Sequence, residues 1–250
     1  MLCYYINNSH WLTANIIKEK IMKKAFTLAE TLITIGIIGV IAAITIPLLI
    51  QKYQEKVTVV MLKKHYSMMQ QAYQTAINEK GSPGDWVLKS SDNIEENILY
   101  HLKPYIKIIK DCENKKGCWG IKYSLNGNRY EDIDKYSNYY KAILADGSII
   151  AVKVNDSEFS NDVNRWAEYM IDLNGDKGPN VLGKDVFNFM FTKTKVKPFG
   201  QDSYGFDNGW CSSISPNKPS VGCAAWVLQN ENMDYLHCND LSLNSKTSCK

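Results

Sequence analysis

Three groups of side chains in this 250-residue chain have the types and spacing to do chemistry. The first is a single carboxylate, Glu30, at the edge of a run from Thr31 to Ile50 that holds no Asp, Glu, Lys, Arg or His. An ionisable group bordering so apolar a segment is costly in hydrocarbon and marks a function by default. The second group is Asp172, Asn174 and Asp176, three oxygen-bearing side chains at alternate positions, followed by Asn180 and Asp185. Hard oxygen donors at that spacing suit Ca²⁺. An EF-hand would need Gly where Lys177 stands and Glu where Gly183 stands, and Asn174-Gly175 is also an ordinary turn signal. The third group is cysteine: Cys112, Cys118, Cys211, Cys223, Cys238 and Cys249. No Cys-x-x-Cys occurs, and His10, His65, His101 and His237 lack zinc-ligand spacing, so oxidation to disulfides is the expected chemistry.

The elements that must position these groups follow from periodicity. At about 1.5 Å per residue, Thr31 to Ile50 reaches roughly 30 Å as a helix, the thickness of a bilayer core. A signal peptide would keep a shorter apolar core and follow it with a small-residue cleavage site. Here Lys23 and Lys24 come first, and a charged amphipathic stretch follows without a break. Over Gln51 to Lys80, Leu62, Tyr66, Met69, Tyr73 and Ile77 recur at helical steps and define one apolar face, and Gly81 and Pro83 stop the helix. A short helix is predicted over Asp92 to Tyr105, capped by Ser91 or Asp92. Tyr139 to Ala145, the Asp146-Gly147 turn and Ser148 to Val154 read as a hairpin. Ala167 to Leu173 and Val186 to Thr192 read as further strands, the second extending toward Val196. From Phe199 onward Gly, Ser, Asn, Pro and Cys dominate, which predicts a loop-rich tail, stapled rather than packed, with a short helix at Cys223 to Gln229.

The string Lys23-Lys24-Ala25-Phe26-Thr27-Leu28-Ala29-Glu30 and the apolar run behind it resemble the N-terminus of the type IV pilin and type II secretion pseudopilin superfamily. The resemblance implies that a prepilin peptidase cuts between Ala25 and Phe26 and N-methylates Phe26. It makes Glu30 the family's fifth-residue glutamate, paired with the new amine of Phe26, and Gly39 and Pro47 the helix-loosening positions. Ala25 departs from the usual glycine before the cut. It further implies an α+β, pilin-like lollipop: a long N-terminal transmembrane-plus-amphipathic helix packed on an antiparallel sheet, with a Cys-rich loop tail. The domains expected are a cleaved leader, 1–25, a transmembrane and polymerisation helix, 26–50, an amphipathic helix, 51–80, and an extracytoplasmic head, 81–250. Translation is expected to start at Met22. Cleavage removes Cys3 and leaves six cysteines on the exported side, where an even count favours disulfides. Local closure suggests Cys112–Cys118, Cys211–Cys223 and Cys238–Cys249, with Cys223–Cys238 an open alternative.

Composition narrows the function classes. With 29 basic and 26 acidic residues the net charge is +3, and the lysines are scattered, so no nucleic-acid contact is evident. Gly200 to Gly205 is out of register with a nucleophile elbow, and no glycine-rich loop resembles a phosphate cradle. The expected protein is therefore a structural filament subunit and not an enzyme. Its expected partners are prepilin peptidase, other pilin or pseudopilin subunits, an assembly platform with a secretin, and membrane lipid. The alternatives are a minor or tip pilin acting as a binding module or adhesin, and a membrane-tethered enzyme. The resemblance places the chain in a bacterial inner membrane, single-pass, with its head outside and later in a periplasmic or surface filament. Ca²⁺ is the one cofactor the residues suggest.

Overall fold

The computed structural model describes residues 27–86, 97–154, 165–201 and 205–249. Helix α1, Leu28–Lys80, runs 53 residues with Pro47 inside it. Gly81, at φ 82°, ends it by accepting the left-handed conformation a side chain resists, and its N–H donates to the Ile77 carbonyl at 2.9 Å. The chain separates into two compact units at Gln51/Lys52. In the first, α1 is apolar and long enough to cross a membrane, and no residue of its most apolar 18-residue window is buried.

The second unit is α+β. Six strands form one antiparallel sheet in sequence order: β1 (Ile108–Glu113), β2 (Tyr139–Leu144), β3 (Ile149–Val154), β4 (Arg165–Asp172), β5 (Val186–Thr192) and β6 (Val196–Pro198). The expected hairpin is β2–β3, with Gly147 at φ 86° in its turn. Strand β5 does not extend to Val196. The chain reverses through Thr192, whose hydroxyl donates to the Lys195 carbonyl at 2.7 Å, and β6 returns alongside β5. Short helices complete the unit: α2 (Pro83–Trp86), α3 (Ile98–Leu102) and α4 (Ala224–Asn230). Asn97 caps α3, accepting from the Leu99 N–H at 2.9 Å. The caps expected at Ser91 and Asp92 lie outside the described residues.

Side-chain alternation explains how both sheet faces are covered. Ile150, Val152, Tyr169, Ile171, Phe187, Phe189 and Phe191 point to one face, where α1 and α4 pack. Ile149, Ala151, Met170, Val186 and Met190 point to the other, under Trp119, Ile133, Phe199 and Val221. Strand β5 is buried at every position, so its sequence reads as an apolar run and not an alternation. The buried face of α1 is Val59, Leu62, His65, Met69, Ala72, Tyr73 and Ala76. Tyr66 and Ile77, also expected on this face, are partly buried and pack against the core. The tail is packed as well as bridged: Phe206 stacks on Trp226 with ring centroids 4.4 Å apart, and Trp226, Val227, Met233 and Tyr235 join the core.

Candidate functional site

The first candidate lies at the start of α1. The Glu30 carboxylate accepts from the Thr27 backbone N–H at 3.0 Å and from the Thr27 hydroxyl at 3.1 Å. The Glu30 N–H in turn donates to Thr27 Oγ1 at 3.2 Å. This is a capping box, two otherwise orphaned helix-end donors satisfied reciprocally. Thr27-Leu28-Ala29-Glu30 carries the signature for it, so the signal stood in the sequence although Glu30 draws attention first as an ionisable group. Ala25 and Phe26 lie outside the described residues, and with them the expected cleavage site, methylated terminus and charge partner of Glu30. Gly39 and Pro47 both lie within α1, and the space around the Gly39 Cα is open.

The second candidate is the connection between β4 and β5. Lys122 is wholly buried, and its ammonium group pairs with Asp172, also wholly buried. Lys122 Nζ also donates to Asn180 Oδ1 at 2.7 Å and stands 5.0 Å from the centre of the Trp119 ring. The backbone holds Lys122 in register: the Tyr123 N–H donates to the Asn180 carbonyl at 3.0 Å, and the Tyr123 carbonyl accepts from Leu182 at 2.8 Å. Asp185 accepts the N–H groups of Asn180 and Val181, each at 2.7 Å. Burial pushes the Asp172 carboxyl up to about 6, against the pull of Lys122. Burial also raises Asp185, while its N–H donors oppose the shift.

The expected calcium ligands are thus partly gathered, but around an ammonium group. Asp172 and Asn180 converge on Lys122 Nζ, Asp185 turns to backbone, and the Asn174 amide donates to the Gly178 carbonyl at 3.3 Å. Asp176 Oδ1 lies toward Gly120, 3.2 Å from where a Cβ on that glycine would stand. Among the described residues, no three His, Cys, Asp or Glu side chains are placed to share a metal ion. Nothing in the pattern Ile121-Lys122-Tyr123 announced that a lysine would enter this loop from some fifty residues away.

The cysteines form three bridges, Cys112–Cys118, Cys211–Cys223 and Cys238–Cys249. These are the locally closed pairs, and Cys223 is bonded to Cys211 and not to Cys238. Lys103 and Tyr140 converge on Asp111 beside the first bridge, which lies at the β1 edge.

An α+β head with local disulfides behind one long, partly apolar helix is the class of protein that fold and sites define. The chain belongs to DUF6613, a family of unknown function, which it matches over residues 48–232, about three-quarters of its length. No curated protein and no solved structure matches it.

Proposed function

We propose that this chain is a structural subunit of a pilin-like filament, of the type IV pilus or type II secretion pseudopilus kind. Prepilin peptidase cuts between Ala25 and Phe26 and methylates the new terminus. The apolar half of α1 then anchors the subunit in the bacterial inner membrane, with the disulfide-bonded head outside. Assembly passes through a platform and secretin, and neighbouring subunits associate through their N-terminal helices. The observation that supports this reading most is α1 itself. Its first unit leaves an uncharged, membrane-length surface uncovered behind Glu30, whereas the second half is covered by a sheet. One carboxylate at the start of such a surface suits a register device, because pairing it with an amine offsets a desolvation that neither charge alone sustains.

The capping box supplies the discriminating experiment. Glutamine serves at the third helical position of a capping box as glutamate does, so Glu30→Gln keeps the cap and removes the charge. Membrane fractionation of Glu30→Gln matches wild type, while the yield of sheared filaments falls at least about tenfold, the effect of losing ~1.4 kcal/mol per contact. A Glu30→Gln protein that assembles like wild type, with Glu30→Ala defective, would assign Glu30 to capping alone and sink the charge-pair mechanism.

A further inference from the structure

We propose that Lys122 and Asn180 are the reactants of a self-formed isopeptide bond, with Asp172 as its proton carrier. The proposal does not rest on the filament reading. Its basis is a nucleophile, an electrophile and a buried acid gathered at one point. The Lys122 ammonium group is wholly buried and contacts the Asp172 carboxylate, also wholly buried. It donates to Asn180 Oδ1 at 2.7 Å. A carbonyl bond is about 1.2 Å long, so the Asn180 Cγ stands at most ~3.9 Å from Nζ, close to attack distance. The amide is also turned the right way. Its Oδ1 faces the lysine, while its Nδ2 donates to the Asp176 carbonyl at 3.4 Å on the exposed side, where a leaving ammonia meets solvent.

Both backbones are pinned. The Tyr123 N–H donates to the Asn180 carbonyl, and Asp185 accepts the N–H groups of Asn180 and Val181. Fixed juxtaposition of this kind is worth an effective molarity on the order of 10⁵–10⁸ M, which an otherwise inert amide needs. The buried Trp119 ring, its centre 5.0 Å from Nζ, helps to keep water from the amine. Burial penalises both charges, and passing one proton from Lys122 to Asp172 leaves a neutral amine beside a neutral acid. The amine attacks Cγ and forms the new C–N bond. The bond from Cγ to Nδ2 breaks, and Nδ2 leaves as ammonia on a proton delivered by Asp172. The new amide nitrogen then gives its surplus proton to Asp172. Of the ammonium protons, one stays on the amide, one leaves on ammonia and one remains on Asp172, so atoms and charge balance without an oxidant or reductant. The product ties residue 122 to residue 180 with a bond that reductants do not open, beside the three disulfides that they do.

The test is a tryptic peptide map of the full chain, purified in nonionic detergent, reduced and alkylated. Wild type yields a branched peptide joining Lys122 to Asn180, lighter than its two parts by one ammonia, with no cleavage after Lys122. The map is needed beside the intact mass, because a succinimide at Asn174-Gly175 also loses ammonia but links nothing. Lys122→Met and Asn180→Ala each abolish the branched peptide, and Asp172→Asn lowers the linked fraction at least about tenfold. A folded wild-type chain that gives separate Lys122 and Asn180 peptides overturns the proposal. So does a bond from Lys122 to Asp172 formed with loss of water, or an Asp172→Asn chain that links like wild type. Wild type alone decides whether the bond exists, so a variant that fails to fold does not shield the proposal.

Discussion

His65 sits on the buried face of α1 against Tyr169 and Phe189, and neither ring nitrogen has a hydrogen-bond partner. Burial pushes it down to about 4, with Asp146 opposing and Lys64 adding a little. The unfolded chain takes up this proton near the ordinary histidine value and the folded chain resists it. Stability is therefore full above about pH 6.5 and is lost as pH falls toward 4, by about 3 kcal/mol. Asp172 titrates over an overlapping window with the opposite sign, because its raised carboxyl favours the folded state on acidification. The readout is thus a difference: denaturant unfolding of wild type and His65→Phe at pH 7 and pH 4.5. Wild type loses roughly 2–3 kcal/mol more than the variant between the two. Equal losses would mean that His65 is hydrated in the folded protein. Sequence alone hid this residue, since a histidine one turn from Leu62 and Met69 does not score as apolar, although the neutral ring buries as one. Glu30 is the reverse case: its type was conspicuous, and its capping partner was plain from spacing.

Among the elements, those whose signal is local were readable and those made by tertiary contact were not. The β2–β3 hairpin follows from Asp146-Gly147, and β5 from an unbroken apolar run. Strand β1 went unpredicted because its central residues, Ile109 to Asp111, face solvent at the sheet edge, with bulges on either side. Nothing in Ile-Ile-Lys-Asp-Cys-Glu alternates clearly. Strand β6 was absorbed into β5 because a three-residue return leaves no period to detect. The tail was misjudged for a compositional reason, since its few aromatic residues are diluted by Gly, Ser and Asn. They are nevertheless the ones that pack: Trp226 is fully buried, and its indole N–H donates to Asn232 Oδ1 at 2.8 Å. Trp226→Ala accordingly lowers the unfolding free energy by about 4 kcal/mol in urea with all three bridges intact. A loss under about 1 kcal/mol would return the tail to a merely stapled loop.

At the scale of the whole molecule, the two units carry different kinds of information. The head is stabilised by two covered sheet faces and three disulfides, each bridge typically worth about 2–4 kcal/mol. Such bridges persist in oxidising compartments, in keeping with a head outside the cytoplasm. The first unit carries an apolar helical stretch long enough to cross a membrane and leaves its surface uncovered. The family match begins at Leu48, so the N-terminal motif stands outside it and the filament reading rests on that motif and on α1, not on the family. The account therefore turns on what happens at Ala25 and Phe26. Its most direct test is the intact mass and N-terminal peptide of the protein isolated from membranes of its native cells. The filament account predicts a chain that begins at Phe26 and carries one methyl group on that amine. A mature chain that still begins at Met1 or Met22 in cells with an active prepilin peptidase would contradict it.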